Sequence, residues 1–376
     1  MRQINFTYGD FYEAVENLHN IKSSVSYNSP SNVLLHIYVS NISLEQTEII
    51  TALLDSTMPD VPRIGITEFP VVNKNTPKNS VRINVLIAEN SDFFPFQITC
   101  ERGSEKDVAI AFLKQIKEIE NIKGIEFCYA NQLIDTVAFI DTIRNELKNI
   151  PIFGSLSKSA DIVNGKIILN AACFSIGRKI TTDGISAIVY CGENLSIDIK
   201  VLQSWRPIGR NLKIKLEENT MLGSTAISEI DNLPATDIFH KYLGVAIDEN
   251  FLNHVWFFPL TVNRNSENIC LIPTGYNGQT FYFNGRISKD ESVNFAYCTQ
   301  EDIIKDTYNE TKKINDKTPE ALFLNICNNR SAFMKEEESR ELELFANCVK
   351  EFCFSHSFGE IAYQNEYSDI LNSASV

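Results

Sequence analysis

The chain has 376 residues, with 34 Lys plus Arg against 48 Asp plus Glu and a formal net charge of −14. That length allows two or three domains, and 44% hydrophobic with 22% charged residues is a globular rather than a disordered composition. An acidic chain without a basic block offers no footprint for a phosphate backbone or an anionic lipid surface, so nucleic-acid and membrane-surface binding are not expected.

The N-terminus, Met1-Arg2-Gln3-Ile4-Asn5-Phe6, has no apolar core of signal-peptide length, and no uninterrupted apolar run is long enough to span a bilayer. A cytoplasmic protein is expected. The strongest internal signal is a unit that recurs three times: an apolar strand, an Asn-rich break, an amphipathic helix and a second strand. In the first, Val33–Val39 reads as a buried strand and Ser40-Asn41 breaks it. Ser43 with Gln46 then gives a capping box, and Ile49, Ile50, Leu53 and Leu54 share a helical face before Arg63–Glu68. Runs over Val81–Ile87 and Phe96–Cys100 read as antiparallel strands.

The second unit is Ile125–Tyr129, a break at Ala130-Asn131, a helix carrying Leu133, Val137, Ile140 and Leu147, and Pro151-Ile152-Phe153-Gly154-Ser155. Antiparallel-looking runs follow over Lys166–Ile176, Gly184–Tyr190 and Leu195–Gln203, with Gly192-Glu193-Asn194 as a hairpin turn between the last two. Glu229–Ala235 joins a turn to a short helix and marks the division into lobes: an extension over 1–29, one lobe over 30–228 and a second over 229–376. Thr311–Lys317 reads as a solvated loop or helix end. The third unit is Leu322–Cys327, a break at Asn328-Asn329, a helix with Leu342, Phe345, Val349 and Phe352 in phase, and Cys353–Glu360. The fold class is therefore mixed α/β (α+β): two-lobed, with layered sheets, flanking helices and three repeated strand–helix–strand units.

Nine cysteines without a CxxC pair support neither a disulfide framework nor a zinc site, and most should be reduced core thiols. His19, His36, His240, His254 and His356 form no metal-binding pair, and His36, inside an apolar strand, reads as a core or edge residue. No GxxxxGK[ST], GxGxxG or GxSxG occurs. Arg330 suits a carboxylate because its planar fork engages two oxygens; the alternative is an ion pair with Glu360 or the Glu336–Glu338 run. Cys327 with His356 would make a nucleophile and base, against an inert buried thiol. Trp205-Arg206 could wall a polar-ligand pocket, or Trp205 could plug a gap between sheets.

Trp205-Arg206-Pro207-Ile208-Gly209, Leu233-Pro234-Ala235 and Tyr242-Leu243-Gly244 together resemble the signature of the FIST sensory family. Cys327-Asn328-Asn329-Arg330 is similar to its Cys-x-x-Arg segment and Ser357-Phe358-Gly359-Glu360 to its Thr-Tyr-Gly-Glu motif. Leu371-Asn372-Ser373 stands where it commonly has His-Asn-x-Thr, and Pro151–Ser155 resembles the Gly-rich end of its N-terminal half. The resemblance implies a prokaryotic input module, usually fused to a histidine kinase, diguanylate cyclase or chemotaxis output, that binds a small ligand such as an amino acid. Since the chain ends at Val376, soon after the last motif, it is expected to be the sensor part of a longer signalling protein.

The expected function is thus a non-catalytic sensor with its ligand in a cleft between the halves. Trp205, Arg206, Asn325, Cys327, Asn328, Arg330, His356 and Glu360 are the candidate ligand-binding residues. Arg330 or Arg206 would hold a carboxylate, Glu360 an ammonium, Trp205 the apolar part, and Asn325 or Asn328 the orienting hydrogen bonds. A signalling output domain and a homodimer are the expected partners. No cofactor or metal is expected. The alternatives are a haem or nitric-oxide sensor ligated by His240, His254 or His356, a cysteine-dependent enzyme, and a dimerisation scaffold.

Overall fold

A parallel strand pair cannot be closed by a tight turn, so each of the three repeated units needs a crossover, and each carries one. The computed structural model describes residues 1–68, 79–130, 134–157, 160–163, 166–169, 174–177, 179–217, 225–248, 250–264, 267–283, 285–364 and 367–371. Val33–Ser40 pairs with Arg63–Glu68 under helix Leu44–Thr57, and Ile122–Tyr129 pairs with Ile152–Leu156 under Thr136–Glu146. In the third unit Phe323–Cys327 pairs with Cys353–Ser357. Its single expected helix is two, Asn328–Met334 and Glu338–Ala346, broken where Lys335 adopts a φ of 50°. Val349 and Phe352 consequently lie beyond the helical stripe they were expected to extend. The capping box of Ser43 and Gln46 is formed, but Ile49 is 44% exposed because Thr47, Ile50 and Leu54 make the buried face.

The first two units sit in separate six-stranded sheets. Sheet A runs Arg2–Tyr8, Ser80–Ile87, Val33–Ser40, Arg63–Glu68, Ser175–Ile176, Ile180–Thr181. Sheet B runs Tyr367–Leu371, Gly359–Gln364, Ile152–Leu156, Ile122–Tyr129, Gly184–Cys191, Asp92–Thr99. Side chains alternate across a strand, and in Val33–Ser40 and Gly184–Cys191 both faces are buried, which is why these strands read as nearly unbroken apolar runs. From Val33–Ser40, Leu35, Ile37 and Val39 pack with Ile50 and Leu54 of the overlying helix, whereas Leu34 and Tyr38 meet Cys128, Ile188 and Tyr190 of sheet B. Sheet B likewise covers its outer face with Phe112, Phe139 and Ile140. The order of layers is helix, sheet, sheet, helix. The third unit lies at one side of this sandwich, where Phe323 and Cys353 join the core between the sheets.

An antiparallel eight-stranded sheet C carries Arg206–Leu216, Thr225–Ile230, Leu260–Arg264 and Ser292–Tyr297, with helix Ala235–Leu243 packed on it through Ile238 and Phe239. Sheet pairing does not follow the lobe boundary read from the sequence. Arg2–Tyr8 is an edge of sheet A, Gly359–Gln364 crosses back into sheet B, and Arg206–Leu216 belongs with later strands in sheet C. Leu195–Gln203, expected as a strand, is extended but joins no sheet. Part of its backbone bonding goes to a side chain: Ile199 N donates to Gln364 Oε1 and Gln364 Nε2 donates to Ile197 O. Of the run Lys166–Ile176, residues 170–173 lie outside the described residues, as do Asn131 and Leu133 of the second unit.

Gly65 stands opposite Ile37 and Gly154 opposite Phe127, the same register in two units. A Cβ would lie 1.8 Å from Ile37 O at Gly65 and 1.9 Å from Phe127 O at Gly154. In the third unit that register holds Asn325 and Ser355, whose side chains hydrogen-bond at 2.8 Å. Gly65→Ala should therefore lower stability by roughly 3 kcal/mol, through a backbone clash that cannot relax cheaply. Gly209→Ala, at φ +76° with open space around it, should cost only about 1 kcal/mol. Thermal unfolding of the two variants checks the ranking, and equal losses would refute it.

Candidate ligand site

The carboxyl ends of parallel strands are where open α/β sheets usually take ligands, but here those ends are tied to one another. Ser157 Oγ donates to Thr67 O at 3.1 Å, Phe358 N to Leu156 O at 2.8 Å, and His356 N to Glu68 Oε1 at 2.6 Å. Glu68 also pairs with Arg82, whose guanidinium lies 4.1 Å above the Phe354 ring. The space left is a cleft of about 710 Å³ that reaches in from the amino-terminal side. Its polar lining includes Tyr190, Asn325 and Glu360, its apolar walls include Phe153 and Phe323, and the extended segment 195–202 runs along it.

These three polar groups are each held. Glu360 Oε1 accepts from Ser357 Oγ at 2.6 Å. Asn325 Oδ1 accepts from Ser355 Oγ at 2.8 Å, and Asn325 Nδ2 reaches Gly154 O at 3.5 Å. Tyr190 donates to Glu126 Oε2 at 2.6 Å, and His36 Nε2 lies 3.0 Å from the same oxygen. Burial pushes the Tyr190 and Tyr38 phenols well up, and Glu126 adds to both shifts, so they remain neutral donors at physiological pH. The region is rich in acids. Glu68, Glu126, Glu338 and Glu360 are buried near Arg82, His36 and His356.

The expected site residues fall into three places. Asn325 and Glu360 line the cleft. Trp205, Cys327 and Asn328 lie along or beside helix Asn328–Met334, with Trp205 buried against Phe333 at 5.2 Å. Arg206 points outward, 64% exposed, 3.4 Å from Asp306. Arg330 is fully buried, and Glu341 takes its fork: Nη2 to Oε1 at 2.6 Å and Nε at 3.2 and 3.3 Å. The expected ion-pair alternative thus holds in kind, but with Glu341 as the partner, one turn beyond the run named. His356 Nε2 is 2.9 Å from Glu338 Oε1.

The pairing of Cys327 with His356 fails on register. Cys327 pairs with Ser357 and Ile326 with His356, so the thiol and imidazole project to opposite faces of the ribbon. Seven of the eight described cysteines are buried, and desolvation pushes Cys298 and Cys191 up to about 12 and Cys100 to about 11. Of the histidines named for haem, His240 Nδ1 meets Val245 O at 3.1 Å and His254 is exposed. Among the described residues no three His, Cys, Asp or Glu side chains converge as a metal set, and no helix is long and apolar enough to cross a membrane.

Sequence reasoning missed Glu68, Arg82, Glu126 and Glu341, and it named Glu338 only as a partner for Arg330, whereas Glu338 pairs with His356. The available signal was a charge inside an apolar strand, as in Val81-Arg82-Ile83 and Ile125-Glu126-Phe127, since such groups are rarely buried without partners. Residues 33–230 match the FIST N domain and residues 235–363 match the FIST C domain. No curated protein is significantly similar to the chain.

Two outcomes test this geometry. Arg330→Ala leaves Glu341 buried and unpaired and should cost about 3–5 kcal/mol, whereas Arg206→Ala should change stability by less than about 0.5 kcal/mol. Denaturant unfolding measures both, and a fully stable Arg330→Ala would release Arg330 for a ligand. Because the thiolate is the nucleophile and raised pKa values keep the thiols protonated, iodoacetamide at neutral pH should label the folded chain at least about tenfold more slowly than the unfolded one. Rapid labelling of Cys327 in the folded chain would revive a nucleophilic role.

Proposed function

Because the chain belongs to the FIST family of sensory signal-transduction domains, we propose that it is an input module whose small polar ligand, an amino acid, binds in the cleft along segment 195–202. The observation that supports this most is the placing of a buried carboxylate, Glu360, and a carboxamide, Asn325, in one cleft with aromatic and aliphatic walls. A volume of about 710 Å³ is ample for such a ligand.

In this reading Glu360 receives the ammonium group and Asn325 orients it. The apolar side chain rests on Phe153 and Phe323, and Lys200 or Lys317, both beside Asp198, meets the carboxylate at the rim. The excess of buried acids near the cleft favours a ligand that brings a positive charge inward and disfavours a dicarboxylate. Arg330 has a positioning role, holding helix Asn328–Met334 to Glu341. The cleft walls come from sheets A and B, the third unit and the segment that leads to sheet C. Binding signals to an output domain or partner to the extent that the ligand favours one arrangement of these parts over another.

A thermal-shift series over the common amino acids should give a concentration-dependent rise for those with apolar side chains, reaching about 2.7 kcal/mol of stabilisation at a hundredfold excess over Kd. Glu360→Gln keeps an acceptor for Ser357 but removes the charge, and should weaken binding at least about tenfold, or 1.4 kcal/mol. Replacing the ligand's ammonium by hydroxyl should do the same. Absence of any rise across the series, or unchanged affinity in Glu360→Gln, would overturn the assignment.

A further inference from the structure

A buried donor and a buried acceptor without partners among the described residues belong to side chains of one aromatic cluster beside the third unit. Trp205 is 2% exposed and Asn329 7%, yet Trp205 Nε1 and Asn329 Oδ1 find no hydrogen-bond partner among the described residues. Leaving either group unmade costs about 1–3 kcal/mol. Both residues meet at helix Asn328–Met334, Asn329 as part of it and Trp205 packed on its Phe333. Trp205 packs on Phe333 with ring centroids 5.2 Å apart, and Asn329, four residues before Phe333 and so on its face, donates through Nδ2 to Trp256 O at 2.8 Å. Phe257 lies 6.0 Å from Phe333. Trp256, Phe257 and Phe333 are only partly buried and make the solvent side of the cluster. Ser204 Oγ, Asn328 Oδ1 and Ser331 Oγ, in the same two stretches of chain, are also unpartnered.

The chemistry of this set selects a ligand class. The nearest buried charges, Arg330 and Glu341, neutralise each other at 2.6 Å, so an ionic ligand gains nothing there. Aromatic walls favour a flat ring. An indole N–H needs an acceptor, and a carboxamide oxygen needs a donor. We propose that this cluster is a second binding site, distinct from the cleft, for an uncharged planar ring with a lactam edge. Its carbonyl accepts from Trp205 Nε1 and its adjacent N–H donates to Asn329 Oδ1.

The two tryptophans provide the readout, because Trp256 Nε1 is already bonded to Pro273 O at 2.9 Å. With uracil as the probe, the Trp205 indole N–H resonance should move saturably in heteronuclear NMR spectra and that of Trp256 should move much less. Trp205→Phe, which keeps an aromatic ring and assigns the signal, should bind uracil at least about tenfold more weakly. A uracil with both ring nitrogens methylated keeps the ring and carbonyls but has no N–H to give. It should lose the same factor on the unaltered protein, a comparison that needs no variant to fold. Glu360→Gln should leave uracil binding unchanged. No movement of the Trp205 resonance at millimolar uracil, equal binding of the methylated ring, or full binding by folded Trp205→Phe would overturn the proposal.

Discussion

Glu68 ends a strand of sheet A and accepts, with its two oxygens, the Arg82 guanidinium from the same sheet and the His356 backbone N–H from 288 residues downstream. A carboxylate this deeply buried is tolerated only when its charge and lone pairs are met, so the third unit cannot move away from sheet A without leaving Glu68 half satisfied. The bonds from Ser157 to Thr67 and from Phe358 to Leu156 tie sheet B into the same junction. Once these contacts are made, Asn325 and Glu360 have no freedom about what they face. Asn325 lines the cleft because the ribbon that carries it is pinned at its carboxyl end, and Glu360 because its strand leaves that end to enter sheet B.

The sandwich of sheets A and B is unusual in how much polarity it encloses. Covering both faces of each sheet calls for apolar strands, yet His36, Glu126 and Tyr190 meet at its centre, and Arg82 stacks between Tyr38 and Phe354. Buried polar networks of this kind cost stability relative to hydrocarbon but admit few alternative packings, although His36 Nδ1 finds no partner among the described residues. That rigidity suits a sensor, in which a ligand must discriminate between discrete arrangements rather than deform a soft interior. It also gives weight to the few polar atoms the network leaves out. Trp205 Nε1 and Asn329 Oδ1 stand apart from it, at the surface shared by sheet C and the third unit.

Much of the architecture was legible residue by residue. The three units could be read because hydrophobic period and capping chemistry are local: Ser43 and Gln46 close their box whatever surrounds them, and Val33–Val39 is apolar because both its faces are covered. Where the reading failed, the deciding partner was distant. Leu195–Gln203 has the composition of a strand, but the neighbouring strands of sheet B are already paired, and Gln364 takes up part of its backbone bonding instead. Arg330 has the chemistry of a carboxylate ligand and does bind a carboxylate, but one eleven residues along its own chain. Cys327 and His356 are neighbours in the ribbon, and the two-residue period of a strand sends them to opposite faces.

By itself the sequence determined the class of fold, the three strand–helix–strand units and membership of a sensory family, since periodicity, caps and motif residues are properties of short stretches of chain. Only the tertiary structure decided which strands share a sheet across the lobe boundary, which buried charges neutralise one another, and which candidate side chains reach a common space. Those outcomes depend on contacts between residues hundreds of positions apart, 288 between Glu68 and His356 and 347 between Asn5 and Phe352. A buried charge is as readily satisfied by any correctly placed partner, so local sequence carries no record of which one it meets.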